Sequence, residues 1–173
     1  MKNTETKLKP TGSPFEGVVT LIGIDPGVHT GLAVVTEQRL VRVASPAPSI
    51  LEAMDSVRAL TLCDGPQNVL VIWEDARKIG GMHGMARGTA GDTARLRGVG
   101  SVHRDCAIWE EFLERHQLRH VAISPAAKGA KLSDAQFRHM AGWTLPTNQH
   151  SRDAAMMVWS KRGLTQKTAA VSA

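Results

Sequence analysis

The sequence is poor in cysteine and has no long apolar run, no internal repeat and no low-complexity block. Its two cysteines, Cys63 and Cys106, stand far apart without metal-type spacing. That pattern excludes a disulfide-stapled scaffold, argues against a structural zinc and fits free thiols in a reducing compartment. No apolar stretch approaches the roughly 18 to 20 residues that a membrane span requires, so a soluble protein without a membrane partner is expected. The opening MKNTETKLKPTGSPFEG lacks the apolar core of a signal peptide and the Arg-rich pattern of a transit peptide, which points to the cytoplasm. A length of 173 residues suits one domain with its own core. The expected layout is a flexible arm at 1–17, a folded domain at 18–163 and a flexible tail at 164–173.

What is present is an excess of positive charge, 21 Lys+Arg against 16 Asp+Glu, with a pI near 9.6. The excess is focused: Arg77, Lys78, Arg87, Arg95, Arg97 and Arg104 face only Asp92 between the two ends of that stretch. An anionic partner such as nucleic acid is favoured, although a solvated face kept for solubility has the same composition.

Hydrophobic patterning predicts strands at 18–25, 30–36 and 39–44, joined by short turns as an antiparallel meander. A helix over 50–63 follows, opened by a Ser49/Glu52 capping box and stopped at Asp64-Gly65-Pro66. The apolar run NVLVIWED, 68–75, reads as a central strand parallel to the first. Next comes ARKIGGMHGMARGTAGDTARLRGVG, which holds seven of the sixteen glycines and begins as a loop. Helical character returns by about 89–93 and runs to near His116. LRHVAIS is a short strand, PAAKGAK a loop, and Ser133 with Gln136 forms a second capping box before a helix ending near Gly142. A last helix spans 150–161. The order defines an α/β domain with a mixed sheet of five strands and helices on both faces, not an all-parallel doubly wound fold.

Three acids have positions that call for explanation. Asp25 ends the first strand and Glu74 ends the fourth. At the carboxyl ends of adjacent strands their carboxylates converge, and two like charges so close need a cation between them. A hard divalent metal meets that need. In NQHSRDAAMMVW, His150 and Asp153 are three apart on one helix face whose neighbours pack inward, a costly place for an unpartnered acid. Asp25 and Asp153 have plainer readings: Asp-Pro-Gly is a common turn, and an acid near a helix N-terminus is favoured by the dipole. Trp73, Trp109, Trp143 and Trp159 read as core or dimer-interface packing. Met82 and Met85 suit either a wedge against unstacked bases or cover for a dimer seam.

The segments GIDPGVHTGLAVV, VLVIWEDA and HSRDAAMMV, in this order and spacing, resemble RuvC-type Holliday junction resolvases, nucleases of the ribonuclease H-like superfamily. ARLRGVGSVHRD resembles that family's long central helix, and ISPAAKGAKLSDAQFRHM its lysine-bearing loop and the helix after it. The likeness spans residues 18 to 162. It implies that Asp25, Glu74 and Asp153 bind metal, with His150 in a ligand position held in the family by His or Asp. It implies that Lys128 or Lys131 stands near the scissile phosphate. Magnesium, or manganese, is the implied cofactor, a four-way DNA junction the implied partner, and a homodimer nicking two opposed strands the implied assembly, in a bacterial cell or phage-infected host. Two divalent ions about 3.5 to 4 Å apart would activate water and stabilise the departing 3′ oxygen. Arg77, Lys78, Arg87, Arg95, Arg97 and Arg104 are the expected DNA-backbone contacts. Where some family members carry an aromatic three residues past the glutamate, this chain has Arg77, which leaves the sequence preference for cleavage open.

Two other classes fit parts of the pattern. A branched-DNA-binding protein without catalysis would share the basic segment. An actin-like or sugar-kinase-type lobe would use Thr30-Gly31 to grip phosphate, but needs a second lobe beyond this length.

Overall fold

The computed structural model describes residues 13–78 and 90–166, with the backbone alone over 90–97. Five strands form one sheet: β1 Thr20–Asp25, β2 Gly31–Thr36, β3 Arg39–Val43, β4 Val69–Glu74 and β5 His120–Ile123. The order is β3-β2-β1-β4-β5; β1 pairs antiparallel with β2 and β2 with β3, while β1–β4 and β4–β5 are parallel. The helices are α1 Ile50–Asp64, α2 Ala90–Arg115, α3 Asp134–Ala141 and α4 Gln149–Trp159. This is the mixed five-stranded α/β architecture, with helices on both faces, expected from the sequence. Among the described residues no helix is long and apolar enough to cross a membrane.

Alternation along each strand divides the core into two layers. Ile22, Ile24, Leu32, Val69, Val71 and Trp73 pack against Ala53, Met54 and Val57 of α1 and Cys106, Trp109 and Leu113 of α2. On the other face Leu21, Ala33, Val35, Leu70 and Ile72 meet Phe137 of α3 and Ala154, Ala155, Met157 and Val158 of α4. With both faces of β1 and β4 covered, these central strands are apolar up to their terminal acids. The β2–β3 hairpin turns on Glu37 and Gln38, both at positive φ, the conformation that matches strand twist in a two-residue turn.

The two capping boxes form as expected. Ser49 N–H donates to Glu52 Oε2 at 2.8 Å, and Ser133 N–H donates to Gln136 Oε1 at 2.9 Å. α4 begins one residue earlier than expected because Asn148 is its cap, accepting from Ser151 N–H at 3.0 Å while its amide donates to the Ala44 carbonyl. Two sets of contacts tie the ends of the described residues to the sheet. Residues 13–17 are held, since Arg119 donates to the carbonyls of Pro14 and Glu16 at 2.9 and 3.0 Å. At the other end Thr165 is buried and Gln166 N–H donates to Val18 O at 2.7 Å. Both contacts use backbone carbonyls that no side-chain pattern advertises. Residues 1–12 and 167–173 lie outside the described residues.

Two glycines decide how near α4 comes to the sheet. A Cβ on Gly23 would overlap the Ala154 carbonyl, and one on Gly31 would overlap the carbonyl of His150 and crowd the Cβ of Asp25. Backbone therefore lies on backbone, with no side chain between. A Cβ at Gly98 in α2 meets nothing within 4 Å. Gly31→Ala should lower the urea unfolding free energy by about 1–3 kcal/mol through overpacking. Gly98→Ala should leave it unchanged or raise it by up to about 1 kcal/mol. Equal effects in the two variants would rule out close approach as the reason for Gly31.

Candidate active site

The carboxyl edge of the parallel half of the sheet collects the chemistry. Ile24 stands opposite Trp73 in the β1–β4 register, so the next residues, Asp25 and Glu74, leave the sheet side by side. β5 follows as the next parallel strand and runs into a single 3-10 turn, Pro125–Lys128, that carries Lys128 to the same edge. α4 crosses above, bringing His150 in its first turn and Asp153 in its second. Four segments remote in sequence thus meet at one point.

The Lys128 ammonium is that point. Its Nζ lies 3.2 Å from Asp25 Oδ1 and 3.2 Å from Asp153 Oδ2, and it pairs with Glu74 Oε2. All four side chains are largely buried, Lys128 being 11% exposed. His150 Nδ1 lies 3.1 Å from Asp25 Oδ2, while its ring is 52% exposed and forms the solvent side of the cluster. Burial pushes the Glu74 carboxyl above the ordinary range and the Asp25 charge adds to this, while Lys128 pulls it back. Burial also opposes the Lys128 charge, but the surrounding carboxylates outweigh it and hold the ammonium above the usual lysine value. Among the described residues no three His, Cys, Asp or Glu side chains are disposed as a ready metal cage; the acids close on the ammonium instead.

Asp153 is fixed from behind by a chain of polar groups. Gln149 Nε2 donates to Asp153 Oδ1 at 2.6 Å, and Gln149 Oε1 accepts from Arg152 Nη2 at 2.9 Å. Arg152 in turn donates to Thr147 Oγ1 at 2.9 Å and to the Leu132 carbonyl at 3.2 Å, and Thr147 donates to Asp134. Because the amide oxygen is taken by a guanidinium, the amide nitrogen must face the carboxylate. Asp153 Oδ2 is thereby left to face the cation.

The basic residues expected to contact DNA have different surroundings. Arg77 is committed within the chain: Nε and Nη2 donate to Asp75 at 2.7 and 3.0 Å, Nη1 pairs with Glu110 at 3.0 Å, and the guanidinium sits 5.7 Å from the Trp73 ring centroid. Lys78 is exposed and donates to the Ala122 carbonyl at 2.8 Å. Arg104 projects from α2 with its side chain 66% exposed and donates to Asp105 at 3.3 Å. Lys131 is exposed on the loop before α3, outside the acid cluster. Arg87, Met82 and Met85, and the side chains of Arg95 and Arg97, lie outside the described residues. Trp73 and Trp109 are fully buried, whereas Trp159 is partly exposed and carries Arg162 stacked 3.9 Å from its ring centroid. Thr30 is buried with its hydroxyl donating to Gly27 O and its amide to Pro48 O, so it offers no free donor for a nucleotide phosphate.

Asp75, Glu110, Gln149, Arg152, Thr147 and Asp134 were not among the expected site residues. Only the second acid of the WED triplet is visible as a pattern, and its partner across the fold is not.

Among solved structures, the chain is similar to T. thermophilus RuvC in complex with Holliday junction substrate. Identity is 18% and the TM-score 0.43, over 82% of this chain and 91% of that one. No family model and no curated protein matches the chain.

The Arg77 guanidinium holds the Asp75 carboxyl below the usual aspartate range. A depressed folded-state value stabilises the fold above the unfolded-state value, near about 4, and that stabilisation is lost as pH falls through the lower folded-state value. The gap in urea midpoint between wild type and Asp75→Asn should therefore be full at neutral pH and shrink from about pH 4 downward. A gap independent of pH would exclude the ionised pair as its source.

Proposed function

We propose that this chain is a metal-dependent, structure-selective DNA endonuclease of RuvC type, which hydrolyses phosphodiesters in four-way or otherwise branched DNA and nicks two opposed strands as a homodimer. One observation carries the reading: Asp25, Glu74 and Asp153, from β1, β4 and α4, reach a single cation at the carboxyl edge of the sheet. Their oxygen donors suit a hard ion such as Mg2+ or Mn2+, which keeps several waters and takes few protein carboxylates. Bound divalent ions supply neutralisation of the phosphate, an acidified attacking water and stabilisation of the departing 3′ oxygen.

The protein's own groups have assignable parts in this reading. Asp25, Glu74 and Asp153 hold the metal on rigid elements, and Gln149 and Arg152 keep Asp153 turned toward it. His150, with Nδ1 directed at Asp25, has Nε2 on the solvent side to accept a proton from the attacking water. The Lys128 ammonium faces a nonbridging oxygen of the scissile phosphate. Lys131, Lys78 and Arg104, with Arg87, Arg95 and Arg97, contact backbone phosphates away from the cut. Arg77 serves the rim of the site by bracing Asp75 and Glu110 rather than as a free phosphate ligand.

A four-way junction, a fork, a flap and linear duplex are compared with Mg2+ and with chelator. Nicking of branched substrates should depend on metal. Asp25→Asn should lower it by at least about 10³-fold while leaving junction affinity in chelator within a few-fold, because the phosphate contacts lie elsewhere. Affinity should fall by about 0.9 log units per contacted phosphate for each tenfold rise in salt. Junction binding without cleavage by wild type would instead identify a non-catalytic junction-binding protein.

A further inference from the structure

The acid cluster already contains a cation of its own. Lys128 Nζ touches one oxygen from each of the three carboxylates, and its side chain is as buried as theirs. A divalent ion bound by those oxygens would occupy the same volume, and no ammonium stays at contact distance from a metal with like charge inside a low-dielectric site. We propose that Lys128 and the metal compete for one seat, so that metal entry expels the lysine and a DNA phosphate rehouses it, coupling metal and DNA binding through this side chain. The inference rests on the metal-site reading above.

The placement of Lys128 favours such an exchange. It closes a single 3-10 turn, and Gly129 follows at φ +91°, with open space around its Cβ position. Ala130 and Lys131 beyond it are exposed. No helix or strand continues from Lys128, so its ammonium can leave without breaking a regular element. The carboxylates are mounted differently, on β1, β4 and α4, and they stay where they are. Without DNA the ammonium neutralises the acids and lowers metal affinity. With DNA a phosphate stabilises the displaced ammonium, and by thermodynamic reciprocity the metal strengthens DNA binding by the same factor.

The test measures metal binding directly. Mn2+ is titrated into wild type and Lys128→Gln, without DNA, by calorimetry and by its effect on Tm. The variant is expected to have a lower Tm in chelator, because three carboxylates lose their counter-ion, and to bind Mn2+ at least about tenfold more tightly. A short oligonucleotide should tighten Mn2+ binding to wild type and not to the variant. Equal Mn2+ affinity in the two proteins would overturn the competition while leaving the metal site intact. Absence of Mn2+ binding in both would overturn the metal-site reading itself. Should Lys128→Gln fail to fold, wild type labelled with ¹⁵N-lysine is followed by NMR. A protected ammonium signal is expected in chelator and should vanish as Mg2+ is added, and its persistence while Mg2+ raises the Tm would overturn the proposal.

Discussion

The approach of α4 to the sheet is the constraint on which the candidate site depends. At Gly23 and Gly31 the helix backbone rests on strand backbone, closer than any side chain would permit. This contact sets the height of α4 above β1 and β2, and with it the reach of Asp153 and His150 toward Asp25. A carboxylate side chain is short, so a small lift of the helix would take Asp153 out of range of the strand-end acids. Packing chemistry and site chemistry are here one constraint, since Gly31 stands beside Asp25 in the β1–β2 register and touches both it and His150.

Around that constraint the protein balances charge with few groups. Three carboxylates and one ammonium leave the cluster net negative, and burial makes each unpaired charge costly. The surplus is tolerated because strand ends and the helix hold the acids rigidly, and because Gln149, itself oriented by Arg152, donates to the oxygen of Asp153 that faces away from Lys128. A site that remains electronegative after internal neutralisation attracts further cation.

The layers of the fold were legible in local patterning. Continuous apolar runs marked β1 and β4 as central, and the Ser49 and Ser133 capping boxes marked two helix starts to the residue. Asp25 and Glu74 could be placed as neighbours because parallel strands align their ends. The Asn148 cap has no sequence signature of its own, because a lone Asn is also an ordinary loop residue. Nothing in the neighbourhood of Arg77 reveals Glu110 on α2 as its partner. Lys128 and Lys131 were indistinguishable in PAAKGAK, both lying in a loop with glycine and alanine around them.

The sequence by itself determined the class of fold and the strand-end acids, because hydrophobic period and turn chemistry are local properties. Which lysine enters the cluster, which arginine is free for a partner, and how Asp153 is turned were decided only by tertiary structure. Those are matters of distances between segments some hundred residues apart, as from Asp25 to Lys128 and His150. Such distances follow from how helices settle on a sheet, and no short stretch of chain encodes them.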